Sequence, residues 1–155
     1  MRIFCVRLHG ALLSLAVVIS CAQRSNAGVI GGEVEDWTKW QAVNGLPSAR
    51  YAMPVGVMSG ALYAVGGLYP PSNPVPKTNV YCFTGTNWTQ VRGLPTPRGS
   101  LATGVLGGAL YAIGGVDTNG NAMSIVSKYD GVSWTAVTPM STGLYSLVAG
   151  VLNGT

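Results

Sequence analysis

Gly60-Ala61-Leu62-Tyr63-Ala64-Val65-Gly66-Gly67 returns 48 residues later as Gly108-Ala109-Leu110-Tyr111-Ala112-Ile113-Gly114-Gly115. Widening the comparison to Ser48–Gly67 against Thr96–Gly115 gives ten identities in twenty positions, including Arg50/Arg98, Gly56/Gly104 and Val57/Val105. Self-similarity at such a period marks a chain built from stacked copies of one supersecondary unit. The content of that unit is read by working outward from the repeated octet.

Upstream of the octet lies an apolar run, Ala52–Met58 in one copy and Leu101–Leu106 in the other. Ser59-Gly60 and Gly107-Gly108 join each run to the octet, and X-Gly or Gly-Gly between two apolar runs predicts a β-hairpin with a primed turn. The Gly-Gly pairs 66–67 and 114–115 close the second strand and permit close backbone approach. The stretches Leu68–Lys77 and Val116–Met123 are rich in Pro, Asn and Gly and read as surface loops. A third strand follows at Thr78–Thr84 and Ser124–Asp130, with Tyr81 and Tyr129 matched at the 48-residue spacing. Short turns then lead to a fourth, Trp-bearing strand: Trp88-Thr89-Gln90-Val91 and Trp134-Thr135-Ala136-Val137, with a related segment at Trp40-Gln41-Ala42-Val43.

One period thus holds four antiparallel strands. A single four-stranded sheet with an apolar face cannot bury that face alone, so successive sheets must stack. The expected fold is all-β, made of propeller blades.

The ordered set of Arg, apolar strand, Leu-Tyr-Ala-Val-Gly-Gly, Tyr and Trp resembles the kelch repeat. Its hallmark positions fall on Gly66, Gly67, Tyr81 and Trp88 in the first copy, and on Gly114, Gly115, Tyr129 and Trp134 in the second. The Tyr-to-Trp spacing is seven residues in one copy and five in the other, and the third counterpart of Arg50 and Arg98 is Leu144. The resemblance implies a ring of about six or seven blades, which needs roughly 300 residues. The expected organisation is therefore a partial ring: outer strand 40–43, blade 48–92, blade 96–138 and an unfinished blade 141–155. In that last stretch Leu144–Leu152 is the expected inner strand and Asn153-Gly154 its turn. A fragment of a longer protein that self-associates when made alone is the corresponding expectation, because a hairpin left half-made exposes a pairing edge.

Residues 1–27 read differently. Arg2 and Arg7 precede the apolar run Ala11–Ile19, as in a secretory signal, and the run is too short to span a membrane. Two cuts fit. Ser25-Asn26-Ala27 before Gly28 satisfies the small-residue rule; Val18-Ile19-Ser20-Cys21 resembles a lipobox, which would anchor the chain through Cys21. The expected location is secreted or periplasmic, with lipid anchoring at Cys21 as the alternative. Residues 28–39 form a lead-in holding Glu33, Glu35 and Asp36, read as a solvated charge cluster.

Only 9% of the 155 residues are charged, against roughly 25% in typical soluble domains, and from Gly28 onward six bases face five acids. That near-neutral balance lacks the basic footprint of a nucleic-acid partner or an anionic membrane surface. The sole histidine is His9, and Cys82 stands alone once Cys5 and Cys21 are assigned to the signal. No metal, cofactor or catalytic constellation is therefore expected within this chain. Arg50 and Arg98 are read as structural hydrogen-bond donors or, as the sharper alternative, as an anion-binding pair at one channel mouth. Asn87-Trp88-Thr89 and Asn153-Gly154-Thr155 satisfy the N-glycosylation pattern. Three functions fit: an exported module binding protein or glycan through its loops, part of a carbohydrate enzyme similar to kelch-type sialic-acid mutarotases or sugar oxidases, or a structural surface protein.

Overall fold

The computed structural model describes residues 43–152 and, as backbone only, residues 4–7 and 16–19. The chain divides into two units, residues 1–46 and residues 47–155. In the first, β1 (Phe4–Arg7) pairs antiparallel with β2 (Ala16–Ile19), Phe4 opposite Ile19. The lead-in, Cys21, residues 40–42 of the expected outer strand and Asn153-Gly154-Thr155 lie outside the described residues. Val43 is described and carries no strand.

The second unit contains two four-stranded antiparallel sheets. The first has β3 (Val55–Met58), β4 (Ala61–Val65), β7 (Val80–Phe83) and β8 (Trp88–Val91), in that spatial order. The second repeats the order with β9 (Ala102–Leu106), β10 (Ala109–Ile113), β11 (Val126–Tyr129) and β12 (Trp134–Val137). The inner hairpins turn where the sequence predicts. Ser59 and Gly60 have φ of 52° and 78°, and Gly107 and Gly108 of 56° and 75°, the pair of positive angles that a type I′ turn requires.

Between β4 and β7 lies a small extra ladder, β5 (Leu68–Tyr69) with β6 (Val75–Pro76). That insertion corrects one sequence match. Tyr81 lies opposite Ala64, whereas Tyr129 lies opposite Leu110, the counterpart of Leu62. The structural counterpart of Tyr129 is Phe83, opposite Leu62, and Tyr81 corresponds to Ser127. The first blade carries two more residues between its second and third strands, so the period is 48 before that loop and 46 after it. Phe83 and Tyr129 each precede their tryptophan by five residues and pack against it, with ring centroids 5.1 Å apart for Phe83–Trp88 and 4.9 Å for Tyr129–Trp134. The unequal Tyr-to-Trp spacing is thereby resolved.

The core lies between the two sheets. Tyr63, Val65, Val80 and Cys82 from the first blade meet Leu110, Ala112 and Tyr129 from the second. The Tyr63 and Tyr129 rings meet edge to face at 5.9 Å, a favoured aromatic geometry. Gly56 makes room for the neighbouring blade: a Cβ there would lie 2.5 Å from Leu110 Cδ1.

Two layers of backbone contact join successive units at one rim. Gly67 N donates to Arg98 O (3.0 Å) and Ser100 N to Ala52 O (2.9 Å). The same pair recurs one blade on, as Gly115 N to Leu144 O (2.8 Å) and Ser146 N to Ser100 O (2.8 Å). Ala52, Ser100 and Ser146 all adopt the left-handed backbone, at φ of 48°, 52° and 51°. The third module therefore docks in repeat register through Ser146. Past that residue expectation and structure part: no described ladder includes Leu147–Val151.

Candidate functional site

The connections between blades and the long loops after each Gly-Gly pair meet at the same rim. Tyr51 bridges Leu68 at the base of the β5–β6 ladder, Lys77 bridges Arg98, and Gly99 bridges Val116. Along this rim runs an open groove of about 420 Å³, lined by residues 52–55, 100–103 and 146–149, equivalent stretches of three successive repeats. Its polar side chains are Ser100, Thr103 and Ser146, and no charged residue lines it. Thr103 Oγ1 donates to Val55 O at 2.8 Å, which ties the second blade to the first within the groove wall.

The first long loop, whose Leu68 bridges Tyr51, leaves Tyr69 and Val75 exposed. The second loop is held by Asp117, whose Oδ1 accepts from Asn119 N and Asn121 N at 2.8 Å, while Asn121 Nδ2 donates to Oδ2 at 3.1 Å. The bonds from Asn121, then Asn119 and Gly120, hold the Asp117 carboxyl below its ordinary value. Asp130 does the same in the β11–β12 turn, accepting from Ser133 N and Val132 N, and its carboxyl is lowered likewise. Both carboxylates are turn-builders.

Neither Arg50 nor Arg98 reaches the groove lining or solvent. Arg98 is 0% exposed, and its Nη1 lies within hydrogen-bond distance of Ala112 O (3.3 Å), Gly114 O (3.4 Å) and Ile125 O (3.2 Å), with Nη2 donating to Ser127 Oγ at 2.8 Å. Its Nε has no partner, and burial lowers the guanidinium to about 10, still charged at neutral pH. Arg50 donates from Nη1 to Gly66 O (3.0 Å) and from Nη2 to Ser48 Oγ, and lies 4.9 Å over the Tyr81 ring. Both guanidinium groups bind backbone carbonyls of their own blade, while the Arg98 main chain bonds the preceding blade. At Leu144 the main-chain contacts persist without a guanidinium.

The remaining expected positions are structural in placement. Gly66 and Gly67 have φ of 61° and 98°, Gly114 and Gly115 of 60° and 104°, and they form the joints that receive Arg98 O and Leu144 O. Trp134 Nε1 donates to Arg92 O at 2.9 Å. Cys82 is buried, and desolvation, followed by the hydrogen bond and charge of Cys82 and then by Tyr129, pushes the Tyr63 hydroxyl up to about 12. Asn87 is exposed in the β7–β8 turn. Among the described residues no three His, Cys, Asp or Glu side chains cluster. The groove was not read from the sequence; the only available signal was the recurrence of small residues at 52, 100 and 146.

Two stacked four-stranded antiparallel sheets joined inner strand to outer strand define blades of a β-propeller. Residues 97–141 match the Kelch motif. No curated protein matches it. Among solved structures, it is similar to the one described as "Structure of YjhT", with a TM-score of 0.64 and 15% identity over 90% of this chain. The match covers 49% of that structure's chain, so the present chain spans about half its length.

Proposed function

We propose that the chain is an exported interaction module that binds a protein or a glycan at the groove rim. The supporting observation is the neutral groove across three repeats, with hydroxyls at Ser100, Thr103 and Ser146; an exposed Tyr69 follows Leu68, which bridges Tyr51, the residue before the groove lining begins at Ala52. An uncharged, partly apolar cleft suits a neutral surface, sugar face or peptide, better than an anion. Export rests on the character of residues 1–27, with Gly28 as the first residue of the processed chain.

A glycan array and a pull-down with the full chain test this reading. The expected result is a saturable ligand whose affinity falls about tenfold or more in Tyr69→Ala, since truncating an anchoring aromatic costs about 2 kcal/mol. Tyr69 lies on the surface ladder, so the melting temperature should stay unchanged. A ligand indifferent both to Tyr69→Ala and to Ser100→Ala would contradict the placement of the site.

A further inference from the structure

Ala52, Ser100 and Ser146 hold equivalent places in three successive repeats, and all three line the groove. Their main chains are joined in series: Ser100 N donates to Ala52 O at 2.9 Å, and Ser146 N to Ser100 O at 2.8 Å. Main-chain neighbours bonded in this way stand about 5 Å apart. All three share one left-handed backbone, at φ of 48°, 52° and 51°, so their side chains leave the ladder alike. Non-glycine residues adopt that backbone at a cost, and such residues gather at ligand sites. The groove hydroxyls divide by role. Thr103 Oγ1 is committed to Val55 O. Ser100 is half-buried and Ser146 exposed, and neither hydroxyl has a partner among the described residues.

That spacing discriminates between ligands. In an extended peptide the groups on one side recur every second residue, about 6.7 Å apart. Hydroxyls about 5 Å apart match instead the advance of one equatorially linked pyranose unit. No charged side chain lines the groove, so nothing there offsets the charge of a uronate, a sulfate or an amino sugar. We propose that the groove binds a linear, neutral, equatorially linked glycan lengthwise, with one sugar unit bonded to the Ser100 hydroxyl and the next to that of Ser146. Ala52, in line with them, gives a third unit an apolar contact. This inference rests on the interaction-module reading above and narrows its ligand to one class.

The test is calorimetric titration of the full chain with cello-, manno- and xylo-oligosaccharides, from monosaccharide to tetrasaccharide. In a series that binds, affinity is expected to rise about tenfold from monosaccharide to trisaccharide, for one added hydrogen bond and the contact at Ala52. Ser100→Ala and Ser146→Ala should each weaken trisaccharide binding about fivefold, and together on the order of twentyfold. Ser146 is exposed, so its variant decides the matter even where Ser100→Ala fails to fold. Equal affinity for monosaccharide and trisaccharide, or a trisaccharide indifferent to both substitutions, would overturn this inference. So would saturable binding of a peptide or a charged glycan with no member of the panel bound, a result that leaves the interaction-module reading standing. Silence from the panel, the array and the pull-down alike would overturn both.

Discussion

Arg98→Ala is expected to destabilise the folded protein by about 3 kcal/mol, lowering its melting temperature on the order of 10–20 °C. Its side chain serves three carbonyls and the Ser127 hydroxyl inside the second blade, and its own carbonyl receives the Gly67 amide of the first. Truncation removes the guanidinium from these buried acceptors; Ile125 O keeps the Gly114 amide, and each acceptor left without a donor costs about 1–3 kcal/mol. The loss is partly offset because a guanidinium held down to about 10 is already unfavourably desolvated. The balance still favours arginine, since the acceptors outnumber the one unpartnered Nε. Arg98→Lys should recover only part of the loss, because an ammonium lacks the planar fork that spans these acceptors. Arg92→Ala is the control. Arg92 is exposed and receives Trp134 through its main chain, so its change should stay within about 0.5 kcal/mol by denaturant titration.

Gly66→Ala should cost a comparable amount, about 3 kcal/mol or more, and for a separable reason. A Cβ on Gly66 would lie 2.5 Å from Arg98 O, and the residue's φ of 61° is left-handed. The backbone strain alone is worth about 1–2 kcal/mol. The rest comes from pushing away the carbonyl that the Gly67 amide needs. Gly60→Ala isolates the first contribution, because Gly60 has a φ of 78° and nothing within 4 Å of its Cβ position. Urea titration should therefore give Gly60→Ala a loss of about 1–2 kcal/mol and Gly66→Ala clearly more. Equal losses would mean that the joint between blades contributes nothing.

The blade was legible in the sequence because its signals are local. Ser59-Gly60 and Gly107-Gly108 predict the inner hairpins, and the alternation from Trp88 and from Trp134 predicts the outer strands. Tyr81 and Tyr129 were mispaired because a constant spacing hides the two extra residues of the β5–β6 loop. Only the ladder register shows that Phe83, not Tyr81, takes the place of Tyr129. The partners of Arg98 were out of reach for another reason: main-chain carbonyls leave no trace in side-chain identity. The groove is equally silent, since it arises where the backbone turns of three repeats converge at Ala52, Ser100 and Ser146.

The central claim is that the Gly-Gly octet is a joint between blades. Native-state hydrogen exchange, resolved by residue in the full chain, tests it most directly. The Gly67 and Ser100 amides, which donate across the joint at 3.0 and 2.9 Å, should exchange as slowly as the amides at the centres of β4 and β10. Rapid exchange at Gly67 and Ser100, with β4 and β10 still protected, would show two blades that fold without locking together and would contradict the account.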